Sequence, residues 1–596
     1  MRKKLEKTKK NLTRLVPFIA PYKWSFLGAI LMIILFVTAM TTAPRMEGMI
    51  TTSLAKDAME LMKQVNGAGV HFERIAGILG VLMVIYLIKT TAQMASIALL
   101  TNSIQNAMHD LRNAVQDKVR RLPVRYFDTH SFGDVLSRVT NDVDTISGAL
   151  QQSFSQVISG ILTLILAVTM MFSIQPKMAC VVLLIIPMSL LITAGVVKKS
   201  QSQFEAQQNS IGELNGAVTE MYTGFREILL FNKQNQMREE FDTLNEELRK
   251  HAFRAQFISS LMSPLISLVT YLTIGAIAVA GALLALQGVM TIGNLQAFIR
   301  YIWQINDPLS QVSQLSSQIQ AAFAALERVF EILGEEEEEK EADPGVTLLK
   351  TKGDVAFQNV TFGYGEDAII KNLNIEIQSG QRVAIVGPTG AGKTTLINLL
   401  MRFYDVDQGK ILIDGVDIRE RKRGELRSSF GMVLQDTWLF SGSIYDNIRY
   451  GRLDARKDEV IAAAKAANVH HFIRTLPGGY DMVIDEEGGN ISQGEKQLLT
   501  IARAILKNPD IMILDEATSS VDTRLEQMLQ DAMNRVMEGR TSFVIAHRLS
   551  TIKHADLILV IQDGNIIEQG THEGLLQKHG FYEQLYHSQF AQKQGR

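Results

Sequence analysis

The sequence predicts two folds in series, an all-α transmembrane domain of six helices followed by an α/β P-loop domain. Three observations predict this. Long apolar segments crowd the first half of the chain and none follows Leu333. An acidic run, "GEEEEEKEADPG", separates the halves. Beyond it, "QRVAIVGPTGAGKTTLINLLMRFY" reads as a β-branched strand, a Gly-rich turn and an amphipathic helix. The boundaries are residues 1–333 for the membrane domain, 334–350 for the acidic linker and 351–588 for the second domain. A chain of 596 residues is too long for one compact core.

Six segments, at about 24–43, 75–100, 154–174, 178–197, 257–286 and 293–313, approach or exceed the ~20 residues a helix needs to cross a bilayer. The basic opening "MRKKLEKTKK" leads into "NLTRLVPFIAPYK", which suits a short interfacial helix better than a removed signal peptide. Connections 101–153 and 198–256 are rich in Lys and Arg, and the loops at 175–177 and 287–292 hold one lysine between them. By the positive-inside rule the N-terminus, both long connections and the second domain are cytoplasmic. The long connections suit helices that continue beyond the membrane.

Net charge is −2, which argues against a nucleic-acid partner held by bulk positive charge. The single cysteine, Cys180, excludes an internal disulfide or a cysteine metal cluster and reads as a small buried residue. His470 and His471 have no third ligand nearby and read as a helix-surface pair. In the last apolar segment, Arg300, Gln304, Asp307, Gln311, Gln314 and Gln318 recur at helical spacing and form one polar stripe. Ionisable groups at membrane depth usually face a wet cavity or a partner. Arg300, Gln304, Asp307 and Gln311 are therefore candidates for a substrate cavity. The alternative is hydrogen bonding between helices, and Pro308 could kink the helix there.

Gly387 to Thr394 fit G-x-x-x-x-G-K-[ST]. Backbone N–H groups of Gly387, Thr389, Gly390, Ala391 and Gly392 can close around phosphates, with Pro388 shaping the loop and Thr395 just behind. Lys393 can reach the β- and γ-phosphates and Thr394 can ligate Mg²⁺. The alternative is a Gly-rich turn with no ligand, which the strand and helix context disfavours. "IMILDEATSSVD" supplies the matching carboxylates, Asp515 for the Mg²⁺ shell and Glu516 to polarise a water. These two roles need a turn directly after Asp515, since adjacent strand side chains point oppositely. His547, after the apolar run "TSFVIA", and Gln435, after "FGMVL", are further candidates at strand ends.

The whole arrangement resembles an ABC transporter, of the exporter type that fuses six membrane helices to an ATPase domain. The resemblance covers essentially the entire chain. It implies that Tyr364 in "VTFGY" stacks on adenine, that Gln435 is the Q-loop residue beside the metal, that Asp522 in "SSVD" is the D-loop residue and that His547 is the switch histidine. "YFDTHSFGDVLSRVTNDVD" resembles the first intracellular loop, and Met221 to Ile228 falls where a second coupling helix would lie. "NISQGEKQ" matches the signature, usually L-S-G-G-Q, whose Ser492, Gln493 and Gly494 would face ATP held by a partner chain.

This signature departs from the family pattern twice, with Gln493 for a glycine and Glu495 for the glutamine. Turned inward, Glu495 would oppose a phosphate by ~4 kcal/mol at 4 Å and an effective dielectric of 20. Turned outward it would sit beside Lys496. The resemblance implies ATP and Mg²⁺ as cofactors, surrounding membrane lipid, and a second half-transporter chain as partner, a heterodimer being favoured over a homodimer. It also implies a multi-pass protein of a bacterial plasma membrane that exports an amphipathic or lipophilic compound, as multidrug exporters do, by ATP-driven alternating access. A lipid or lipid-linked flippase is a second reading. A nucleotide-gated channel or a regulatory ATPase that does not pump is a third, against which the intact Glu516 argues.

Overall fold

The computed structural model describes residues 2–64, 69–338, 351–365, 367–434, 437–485, 490–515, 523–546 and 549–589. The chain divides into two compact units, Met1–Leu122 with His130–Glu336 and Pro123–Thr129 with Glu337–Arg596.

The first unit is helical because its apolar runs leave no other way to satisfy backbone N–H and C=O groups in lipid. Among the described residues, five helical stretches are long and apolar enough to cross a membrane: Asn11–Met62, Phe72–Val119, Phe132–Ile174, Pro176–Thr223 and Gln234–Leu286. Their outer surface is apolar, with Leu79, Met83, Leu87, Leu191, Leu272 and Leu286 exposed. The sixth expected segment forms the 43-residue helix Ile292–Gly334. Arg300, Asp307 and the glutamines hold it below the apolarity of the other five. It packs along the helices Lys23–Met62 and Val143–Ile174. Cys180, expected to be buried, is exposed. An apolar side chain gains little by turning away from lipid, which is as apolar as the bundle interior.

Polar side chains within the bundle are tied across helices. The Tyr301 hydroxyl donates to the Thr41 carbonyl at 2.9 Å, and Thr270 donates to Asn306 Oδ1 at 3.0 Å. Arg328 holds the buried Asp142 carboxylate through two bonds, at 2.8 and 2.5 Å. The first and last long helices approach through glycines. A Cβ on either Gly48 or Gly293 would collide with the carbonyl oxygen of the other.

In the second unit, β1 (Val355–Phe362), β2 (Ile370–Ile377), β4 (Gln408–Ile413) and β5 (Val416–Asp417) form an antiparallel sheet ordered β2-β1-β4-β5. A second sheet holds β3 (Arg382–Val386), β6 (Phe430–Val433), β9 (Ile511–Asp515), β10 (Thr541–Ile545), β11 (Leu557–Gln562) and β12 (Asn565–Gly570), ordered β12-β11-β3-β10-β9-β6. All its neighbouring pairs are parallel except β11 with β12. β7 (Gly442–Ser443) and β8 (Val483–Ile484) make a short third pair. Strands β3, β6, β9, β10 and β11 are mostly apolar and buried, as expected where helices cover both faces, whereas the edge strand β12 alternates exposed and half-buried residues. Registers Ile545↔Ile385 and Ile545↔Asp515 bring the ends of β3, β10 and β9 level. Glu338, from the acidic run, pairs with Arg423 at 3.1 Å. Residues 339–350 of the expected linker lie outside the described residues.

Gly293→Ala should therefore force the two glycine-packed helices apart. A fall in the thermal unfolding midpoint is expected, with a cost of ~1–3 kcal/mol for overpacking. An unchanged midpoint would show that the contact carries no packing load.

Candidate functional site

The site lies at the C-terminal edge of the parallel sheet, where α/β folds bind ligands. β3 ends at Val386 and the chain turns through Gly387–Gly392 into the helix Lys393–Leu400. Gly392 caps this helix at φ +101°, a left-handed conformation that glycine adopts without strain. The turn is held from behind, where Gly564 N–H donates to the Ala391 carbonyl at 3.3 Å. Free N–H groups at the helix start favour an anion. Lys393 Nζ donates to the carbonyls of Gly387 and Pro388 at 2.8 and 2.9 Å. Burial lowers the Lys393 pKa, and the charge of Asp515, at the end of β9, opposes that shift. The loop, the lysine and the carboxylate are thus together. Thr394 is exposed on the first helical turn and Thr395 is buried behind it.

Tyr364 sits after β1 with its hydroxyl 3.5 Å from Thr395 Oγ1 and 3.3 Å from Asn398 Nδ2. Its ring meets those of Phe362 and Tyr404 edge-on. Sequence reasoning missed what lies next to this cluster. The short helix Val124–Thr129 belongs to the same compact unit. Arg125 donates to the Tyr364 carbonyl at 3.1 Å, and the Tyr404 hydroxyl donates to the Asp128 carboxylate. Burial, and then the bond to Asp128, raises the Tyr404 pKa, so the phenol stays protonated. Glu516, Asp522, Gln435 and His547 lie outside the described residues. Gln435 follows Val433 of β6 by two positions, and His547 follows Ile545 of β10 by two.

Ser492 is the N-cap of the helix Gln493–Lys507. Glu495 turns back onto it rather than standing apart beside Lys496. Its Oε2 accepts the Ser492 backbone N–H at 2.9 Å and the Ser492 hydroxyl at 2.6 Å. The S-x-x-E spacing is the sequence signature of a capping box and could have disclosed this contact. Gln493 Nε2 donates to Thr437 Oγ1 at 3.3 Å, and Gly494 is buried. Further along the same helix, Arg503 donates to the Asn447 carbonyl and side chain at 2.9 and 3.1 Å and to the Trp438 carbonyl at 3.2 Å. The rings of Phe440 and Tyr450 flank its guanidinium. A single arginine in the apolar run "LLTIARAIL" was the signal for this anchor.

The polar stripe is divided among different surroundings. Arg300 is exposed, with Nε 3.7 Å from Glu47 Oε2. Gln304 is partly buried and donates to the Met40 carbonyl at 3.2 Å, as an interhelical bond would. Asp307 and Gln311 are exposed.

Membrane helices followed in one chain by a phosphate-binding loop at a parallel-sheet edge define a membrane-embedded P-loop nucleoside triphosphatase. The chain belongs to the ABC transporter family: residues 24–309 match the ABC transporter transmembrane region and residues 370–519 match a second family model described as ABC transporter. It is 47% identical over 530 residues to a "Fatty acid ABC transporter ATP-binding/permease protein" of Mycobacterium bovis, covering 89% of this chain and 84% of that one. It is 36% identical over 511 residues to an "ATP-dependent lipid A-core flippase" of Syntrophus aciditrophicus, covering 86% and 85%. The solved structure of a bacterial Atm1-family ABC exporter with ATP bound aligns with TM-score 0.75 at 28% identity, over 96% of this chain and 99% of that one. The chain is thus a multi-pass membrane half-transporter that works as a dimer, binds ATP and couples its hydrolysis to export.

Two outcomes test this geometry. Lys393→Ala should weaken binding of a labelled ATP by roughly ten- to a hundredfold, the worth of a hydrogen bond to a charged group. Glu495→Ala should lower the ATPase domain's unfolding midpoint through loss of a helix cap worth ~1 kcal/mol.

Proposed function

We propose that this chain is one half of a heterodimeric exporter of an amphipathic or lipophilic compound, with its own signature serving the weaker of two ATP sites. The observation that carries the reading is the Glu495 carboxylate on Ser492. The helix N-terminus that would hold a partner's γ-phosphate already holds an anion of its own. The Ser492 hydroxyl proton is committed to it, so a phosphate must displace Glu495 before that hydroxyl can donate. A chain whose hydrolysis depended on two such signatures would be slow at both sites. Paired with a chain of ordinary signature, it needs only one good site, formed by its own loop. The exposed Tyr222, Phe225, Leu230 and Phe231 around the helix Phe225–Leu230 support a protein partner there, where the second coupling helix is expected.

At its own loop, phosphates would take Lys393 from the Gly387 and Pro388 carbonyls, with Tyr364 against the adenine. The donor set fits Mg²⁺, since the Thr394 hydroxyl and Asp515 carboxylate are hard oxygens and Gln435 adds an amide oxygen. Bound there, Mg²⁺ would neutralise charge on the β- and γ-phosphates. By the family's pattern Glu516 would polarise the attacking water, His547 would serve the γ-phosphate and Asp522 would serve the partner. The segment Pro123–Thr129, bonded to Tyr364 and Tyr404, would register nucleotide binding and pass it to the membrane helices at either end of it. The basic connections support a cytoplasmic ATPase domain in a bacterial plasma membrane. The flippase named among the relatives supports lipid as a second class of cargo.

Glu516→Gln should retain ATP binding and abolish nearly all turnover of the assembled transporter, measured as phosphate release. Persistent turnover would move hydrolysis to the partner's site. Gln493→Gly together with Glu495→Gln should barely change turnover in a heterodimer and raise it severalfold in a homodimer. Full substrate-stimulated ATPase activity from this chain purified alone would refute the heterodimer.

A further inference from the structure

Three helices of the membrane unit assemble an ion pair whose members lie far apart in the sequence. Glu47 directly precedes Gly48 on the helix Lys23–Met62, and Gly48 is in backbone contact with Gly293. Arg300 follows Gly293 by seven residues, two turns along the same face of Ile292–Gly334. Glu47 thus sits beside the glycine contact and Arg300 about 10 Å further along its own helix, and the two long side chains close the gap. Arg300 Nε lies 3.7 Å from Glu47 Oε2, and Tyr86, on the helix Phe72–Val119, donates its hydroxyl to Glu47 Oε1 at 2.5 Å.

The exposure of the pair is lopsided. The Glu47 side chain is 23% exposed and engaged at both oxygens, whereas that of Arg300 is 62% exposed. A guanidinium offers five N–H donors in a planar fork, and Glu47 meets one edge of it. Arg300 stands eight residues from the start of its helix, about 12 Å at ~1.5 Å per residue. It lies within the apolar segment 293–313 that the sequence assigns to the membrane. A cation held there on one side only is suited to receive a second anion.

We infer that Arg300 anchors the acidic head of the exported amphiphile, a carboxylate or phosphate on a lipophilic chain, and that Glu47 is the counter-ion this head competes with. The fork matches either anion through two parallel hydrogen bonds. Tyr86 keeps Glu47 in place while the cargo is bound, and on release Glu47 restores neutrality to Arg300. The inference rests on the export reading above and adds to it the sign of the cargo's charge.

The test uses the complete transporter in liposomes and reads ATPase stimulation and ATP-driven transport. Palmitate and lysophosphatidate, as carboxylate and phosphate sources, are each compared with an uncharged counterpart, hexadecanol and monoacylglycerol. The acids should half-stimulate at lower concentration than their counterparts, and whichever acid is also transported identifies the head group. Arg300→Gln should raise the half-stimulating concentration of the acids by about tenfold, ~1.4 kcal/mol, and shift the uncharged probes little. Glu47→Gln should lower it for the acids, because the competing anion is gone. A merely structural pair predicts the opposite sign, with both substitutions impairing every probe alike, and that result would overturn the anchor. Stimulation by uncharged probes but not by acids would overturn the anchor and leave the export reading standing. No ATP-driven transport of any probe, charged or not, would count against the export reading itself.

Discussion

A polar group removed from water and left without a partner costs ~1–3 kcal/mol, more if it is charged. Both halves of this transporter are organised around that cost. In the membrane unit Tyr301 reaches the Thr41 carbonyl, Gln304 the Met40 carbonyl and Thr270 the Asn306 amide. Each bond fixes one helix against another where apolar contact alone would not discriminate between registers, since lipid competes equally for apolar faces. In the ATPase unit Lys393 is held by two loop carbonyls, Ser492 by Glu495 and Arg503 by Asn447 and Trp438. These are provisional partnerships in one case and permanent ones in another. Lys393 has partners that phosphate oxygens can replace. Arg503 is enclosed by rings and backbone, which ties its helix to Trp438, Phe440, Asn447 and Tyr450.

The signature helix shows how an internal anion changes a site without changing its fold. Ser492 caps the helix Gln493–Lys507, and Gly494 is buried in its first turn. What differs is occupancy, because the carboxylate three residues on satisfies the serine's two donors at once. On the proposed role of Ser492, local stability of the helix and readiness to receive phosphate would be opposed there.

Much of this was legible in the sequence, for reasons that differ by element. The phosphate-binding loop was clear because its chemistry is local, with glycines, lysine and threonine within eight positions. The membrane helices were clear because length and apolarity act over one segment, although the last helix carries enough polar residues to fall short of its neighbours. The Glu495 contact was within reach, since S-x-x-E is a local pattern, but charge alone left its direction open. The bonds of Arg125 and Asp128 to the Tyr364 cluster, and of Glu47 to Arg300 and Tyr86, were not legible. They join residues whose proximity is made by tertiary packing and not by spacing along the chain. Cys180 was misjudged for a related reason, because burial in a water-soluble core and residence in lipid have the same composition.

The short helix Val124–Thr129 has a practical bearing on recombining half-transporters. Although it lies in the first third of the chain, it packs as part of the ATPase unit through Arg125 and Asp128. A chimera spliced only at the acidic linker would mate one parent's Pro123–Thr129 with another parent's Tyr364 and Tyr404. Interchangeable modules of this transporter are discontinuous in the gene, and a functional graft has to carry the small insert along with the large domain.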